Sequence, residues 1–226
     1  EQADKKGNIY YYKYDALGRR IEAEDPLNNV QTWSYDYRGL LIAKTDKNGN
    51  TAIYEYDPLK RLIKETNPLG GIKQYIYDPV GNLIAKIDEN GVKTTYEYDA
   101  LDRLTAETNA QGHATRYEYN HLDLLVKKTD ALGNQVTYEY DALGRLSKQT
   151  DALGAVTTFT YDLNGNLIKE TDAEGFSKTY VYDRLNRMVE EIDATNNKTV
   201  YQYDAKGNLT KLINPLGGVY TYEYDA

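Results

Sequence analysis

The sequence predicts an all-β protein: 21-residue tandem β-hairpin repeats forming a long antiparallel, spirally curled β-sheet, a segment of a shell or barrel. Three observations predict it. The dipeptide Tyr-Asp recurs every 21 residues, at Tyr14, Tyr35, Tyr56, Tyr77, Tyr98, Tyr140, Tyr161, Tyr182, Tyr203 and Tyr224, with Tyr119-Asn120 filling the one gap. Glycine or an Asx residue marks a turn twice in every period. The aromatic content is nearly all tyrosine, 24 Tyr against two Phe and one Trp. A fixed period of this length signals repeat architecture, and tyrosine supplies apolar area behind a polar tip. Residues 1–226 therefore read as a single array of about ten copies, truncated at both ends and expected to be a segment of a longer protein.

Each element follows in order, counting the Tyr of Tyr-Asp as position 0. The first strand ends in two aromatics two residues apart. At −2 stand Tyr12, Trp33, Tyr54, Tyr75, Tyr96, Tyr117, Tyr138, Phe159, Tyr180 and Tyr201, ahead of the tyrosines at position 0. Residues two apart share one face of a strand, so a common register lays the rings in two parallel ladders. We read these rings as the packed core, with cross-strand aromatic pairs of about 0.2–1 kcal/mol each. The first turn opens on Asx and closes on Gly, as in Asp15 to Gly18, Asp36 to Gly39, Asp141 to Gly144 and Asp162 to Gly165. That pattern suits a type I turn followed by a left-handed residue. The second strand is short, as in Arg61 to Thr66, and carries Leu at +6, replaced by Arg20 and Met188 in two copies. This leucine is expected on the ring face. A linking turn of the same kind closes on Gly at +14, from Gly7 to Gly217.

All five prolines fall at the second corner of a turn, Pro26, Pro68 and Pro215 in linking turns and Pro58 and Pro79 in hairpin turns, where a fixed φ near −65° is wanted and no N–H is missed. Where the closing glycine is absent, Asn28, Asp102, Asp123, Asn186 and Asn196 replace it, residue types that tolerate positive φ. Lys60 alone breaks that rule. Two glycine-closed turns in every 21 residues leave no room for helix.

Composition excludes several functions. A net charge of −8 opposes nucleic acid, which wants a basic face, and no apolar run approaches the ~20 residues of a membrane helix. With no Cys there is no disulfide framework and no thiolate zinc site. The carboxylates sit at turn corners repeated copy after copy, where Asx side chains bond their own backbone; a glycosidase needs one acid pair in a cleft. Asp46-Lys47-Asn48-Gly49-Asn50 has alternate oxygen donors, a little like a calcium loop, without the later bidentate Glu. His113 and His121 lack a third ligand, and Ser34, Ser147 and Ser177 lack a histidine in their copies. The reading is non-enzymatic, with no catalytic residue, no metal and no cofactor.

The core Tyr140-Asp141-Ala142-Leu143-Gly144-Arg145-Leu146, repeated along all 226 residues, resembles the Rhs or YD repeat. That family includes bacterial Rhs polymorphic toxins, wall-associated repeat proteins, the cocoon-forming subunits of ABC toxins and animal teneurins. The resemblance implies a ribbon spiralling into a hollow shell, on a secreted or cell-surface protein, whose partner is an encapsulated polypeptide, a C-terminal toxin or effector. The family's closing core with its self-cleaving aspartate has no counterpart in this sequence; Asp78-Pro79 belongs to an ordinary turn. Two alternatives stay open: an extracellular adhesion or carbohydrate-binding scaffold that offers exposed Tyr to glycans, and a filament self-associating through strand edges.

Overall fold

The structure, a computed structural model, describes residues 2–3 and 9–225; Gly7 of the first linking turn lies outside them. Among the described residues there is no helix, and the 22 strands pair antiparallel. The chain divides into two units, residues 1–114 and 115–226. In the first, Gln2–Ala3 pairs with Ile9–Tyr14, and six-residue strands ending in Tyr then alternate with five-residue strands: Arg20–Glu24, Val30–Tyr35, Leu41–Thr45 and onward to Leu104–Thr108. In the second the same alternation runs through Leu125–Thr129, Gln135–Tyr140, Leu146–Thr150 and Val156–Tyr161 to Val219–Thr221. The sheet of each unit is thus a meander, one layer thick.

Both turn types have the same backbone. The Gly144 N–H donates to the Asp141 carbonyl at 3.0 Å, and the Asp141 N–H donates to the Arg145 carbonyl at 2.9 Å. Gly144 has φ +77°, the left-handed residue that lets a type I turn close a three-residue hairpin loop. The linking turn from Asp130 to Gly133 repeats this at 3.0 and 2.9 Å. Asn28, Lys60, Asp102, Asp123, Asn186 and Asn196 all have φ between 60° and 67°, so the glycine-free corners keep the left-handed backbone, Lys60 included.

The register shows how the faces are built. In one hairpin Tyr138 lies opposite Gln149, Glu139 opposite Lys148 and Tyr140 opposite Leu146, with a bulge that leaves Ser147 as the extra residue. The same slip recurs beside Tyr35, Tyr98, Tyr161 and Tyr203. Side chains alternate strictly along a regular strand, so without the bulge the +6 leucine would point away from the tyrosine. The extra residue brings it onto the ring face. The other face carries Thr pairs such as Thr137 with Thr150, and cross-strand ion pairs: Glu139 with Lys148 at 2.7 Å, Glu55 with Lys64 at 2.8 Å.

Two expectations change. No ring lies opposite another ring in any described strand pair: each position-0 tyrosine faces residue +6, and each −2 ring faces residue +9. With two strands per copy, like rings stand about 10 Å apart, and the link between them is indirect. Nor do the rings make a closed core. They are half-buried, Tyr14 and Tyr224 being exposed, and among the described residues no large side chain is fully enclosed. The two fully buried hydrophobic residues, Ala85 and Ala106, lie on the opposite face, across from Ile76 and Glu97.

The left-handed corner is open to direct test. A Cβ on Gly144 would meet only the Leu124 Cδ1 methyl at 3.6 Å, ordinary contact, so the cost of Gly144→Val is backbone strain. We expect a loss of about 1–2 kcal/mol, read as a lower melting temperature, whereas Asn186→Gly should stay within about 0.5 kcal/mol of the parent.

Candidate functional site

The candidate site is the joint between successive copies, where the aromatic ladder meets the hairpin turns. It begins with the turn aspartate. Asp141 Oδ1 accepts the N–H groups of Leu143 and Arg145 at 2.9 and 3.0 Å, so the side chain ties down its own turn. Asp15, Asp36 and Asp162 do the same. The second carboxylate oxygen is then free to hold the residue at +5. Arg145 Nε donates to Asp141 Oδ2 at 2.7 Å, and Arg19, Arg61, Arg103 and Arg187 repeat the bond at 2.6 to 2.8 Å.

Anchored at one end, the guanidinium reaches the next copy. Arg145 Nη1 donates to the Asp162 carbonyl at 2.9 Å, and its guanidinium carbon stands 4.6 Å from the centre of the Tyr161 ring. Cation–π contacts of this kind are worth about 0.5–1 kcal/mol at exposed sites. Tyr161 answers in the reverse direction: its hydroxyl donates to the Leu146 carbonyl at 2.9 Å. That carbonyl lies beyond the last ladder pair between the two strands, Lys148 with Thr158, so the ring satisfies a backbone acceptor at the strand end. The circuit therefore closes. Asp141 holds Arg145, Arg145 holds Asp162 and Tyr161, and Tyr161 returns to Leu146. The hydroxyl bond recurs from Tyr56 to Leu41, Tyr77 to Leu62, Tyr98 to Leu83, Tyr140 to Leu125 and Tyr203 to Met188 at 2.7 to 3.0 Å. In the first copy, Arg20 replaces the +6 leucine and stands 4.5 Å from the Trp33 ring and 5.7 Å from the Tyr12 ring.

Electrostatics follow the geometry. Bonds from Arg145 and from the turn N–H groups hold Asp141 below the usual carboxylate range. The Asn197 amide and the Thr195 hydroxyl lower Asp193 to about 2. Burial pushes the phenols of Tyr56, Tyr98 and Tyr140 up, which keeps them protonated as donors, and does the same to Tyr182.

A family model, RHS Repeat, matches residues 14–51, 35–72, 77–114, 101–135, 119–156, 140–177, 161–198, 182–219 and 203–226. The chain belongs to the RHS repeat family. A comparison with curated proteins gave no match. Among solved structures, the chain is similar to the Tc holotoxin pore of Photorhabdus luminescens at 17% identity and TM-score 0.45, covering 98% of this chain and 17% of that one. It is similar to TcdB2-TccC3-Cdc42 at 15% identity and TM-score 0.29, covering 93% and 18%. A porin-like protein from Bacteroides uniformis stands at 16% identity and TM-score 0.33, covering 80% and 86%. The chain spans less than a fifth of the length of the two Tc chains it matches.

The remaining candidates are not brought together. Among the described residues no group of three or more His, Asp and Glu could hold a metal ion. Asp46 Oδ1 accepts the N–H groups of Asn48 and Asn50, so the loop with alternate oxygens is an ordinary Asx turn. The His113 N–H is bonded to Asn109 Oδ1 in another. Sequence reasoning missed the role of +5 and the hydroxyl bond, although a signal for the second was present. Tyrosine never varies at position 0, whereas −2 accepts Trp33 and Phe159. The first position spends its hydroxyl on a backbone carbonyl of the preceding copy, whereas the −2 hydroxyl of Tyr201 reaches a side chain there, Glu191 Oε2 at 3.2 Å.

Two outcomes follow. Tyr140→Phe deletes the bond to the Leu125 carbonyl and should cost about 1 kcal/mol in a thermal or urea melt, while Tyr138→Phe, which reproduces Phe159 of another copy, should be near neutral. Because the folded aspartates bind protons more weakly than ordinary carboxylates (3.8), the unfolded chain takes up protons first as pH falls. Stability should therefore hold above about pH 5 and decline from about pH 4 toward about pH 2; a melting temperature unchanged across that range would contradict the assignment.

Proposed function

We propose that this chain is a stretch of wall in a hollow β-shell that sequesters a polypeptide, and that it carries no catalysis of its own. The reading rests first on membership of the RHS repeat family and on the enclosed toxin or effector implied by the resemblance to Rhs and ABC-toxin proteins. The observation that carries it is the asymmetry of a single layer. One face bears half-buried rings and leucines, the other Thr pairs and Glu–Lys pairs, and copies are tied to their neighbours by groups of the array itself, as Arg145 and Tyr161 show. A one-layer ribbon with two unlike faces suits separation of an enclosed space from solvent. A secreted or cell-surface protein is the setting this reading requires. The glycan-binding alternative is weaker, because tyrosines such as Tyr140 and Tyr161 already commit their hydroxyls to backbone carbonyls.

Thr157 and Thr158 are adjacent in one strand and lie on opposite faces, and the sequence holds no native cysteine. In the full-length protein containing this segment, Thr157→Cys and Thr158→Cys should differ sharply in their labelling rates with a polyethylene-glycol maleimide. One should be shielded until urea opens the shell. Equal rates before urea would overturn the proposal.

A further inference from the structure

Arginine occupies +5 in every second copy, from Arg19 to Arg187 in steps of 42 residues. Between them stand Leu40, Asn82, Leu124, Asn166 and Asn208, also in steps of 42. The two classes of residue make different joints. Arg61, Arg145 and Arg187 each donate at 2.9 Å to the aspartate carbonyl of the following copy and cover its tyrosine ring at 4.6 to 5.0 Å. Asn82 and Asn166 hold their own turn aspartate and reach only the exposed corner side chain of the next copy, Asp102 Oδ1 at 2.8 Å and Asn186 Oδ1 at 2.9 Å. Leu124 forms no polar link there and brings only a methyl near Gly144.

The tyrosine hydroxyl bond occurs at both kinds of joint, from Tyr77 and Tyr161 after arginine and from Tyr98 and Tyr140 after Asn82 and Leu124, though not from Tyr182 after Asn166. Arginine is thus the difference between them. A charge-assisted bond is roughly twice as strong as a neutral one, and the ring contact adds to it. One joint departs from the rule in an informative way: where Leu40 occupies +5, Arg38 takes over and donates to the Asp57 carbonyl at 2.7 Å.

We propose that the cooperative unit of this array is a pair of copies, 42 residues, with weak joints following Asn82, Leu124, Asn166 and Asn208. In repeat arrays stability is a sum of copy terms and nearest-neighbour terms, so alternating neighbour terms divide the array into blocks. The inference is independent of what the array encloses.

Single-molecule pulling on this chain, with handles at its two ends, tests it. The region after Leu124 should lengthen in steps of 42 residues, about 15 nm of extended chain. Asn166→Arg should fuse two blocks into one step of about 30 nm, and Arg145→Asn should split a block into two steps of about 7 nm. Steps of about 7 nm in the parent, release of the whole chain at once, or a pattern unchanged by Asn166→Arg would each overturn the proposal.

Discussion

The governing constraint is that a sheet one layer thick cannot enclose its own side chains. Among the described residues no strand of either unit has a second layer above it, and the buried hydrophobic residues, Ala85 and Ala106, are alanines small enough to disappear beneath their neighbours. Cohesion therefore has to run in the plane of the sheet. Backbone ladders supply most of it. The joint of Asp141, Arg145, Asp162, Tyr161 and Leu146 supplies what the ladder does not reach, at the strand ends where pairing has stopped. Each bond is modest alone, since an intramolecular hydrogen bond contributes about 0.5–1.5 kcal/mol net. Repetition makes the sum large.

The same constraint accounts for the choice of tyrosine. Phenylalanine would cover as much apolar area, but on an open face a ring has water on one side and gains only part of its burial. A hydroxyl that ends on a backbone carbonyl fixes the ring and uses its polar tip. The bulge is a further adjustment to the single layer: it collects leucine and tyrosine on one side of a short strand pair whose strict alternation would have placed them on opposite sides. Acidic residues on the other side are balanced by lysines directly across the pair, such as Glu139 with Lys148, at little energetic gain because both are accessible to solvent.

Much of this was legible in the sequence because it is local. The turns follow from Asp, Pro and Gly at set corners, and each left-handed residue except Lys60 falls where Gly or Asx had marked it, since φ is decided within four residues. The ladder residues share a face for the same reason. What could not be read depends on register. That Tyr140 faces Leu146, with no ring opposite it, follows from a one-residue slip that no spacing rule reveals. The reach of Arg145 is a contact across 17 residues of chain, invisible until the strands are placed. The position-0 hydroxyl lay between these cases: the absence of Phe or Trp there, against Trp33 and Phe159 two residues earlier, marked a polar duty without naming its acceptor.

The joint between copies points one way along the chain: the arginine reaches forward, and the tyrosine reaches back to the strand it has just left. Every joint thus depends only on the copy beside it. For a gene encoding such an array, unequal recombination that removes or duplicates whole copies leaves intact joints on both sides of the crossover, and exchange in even numbers of copies also keeps the arginines and asparagines in step. A deletion of part of a copy would strand an arginine without its carbonyl and a tyrosine without its acceptor. Array length can drift in whole quanta while the sheet remains sound.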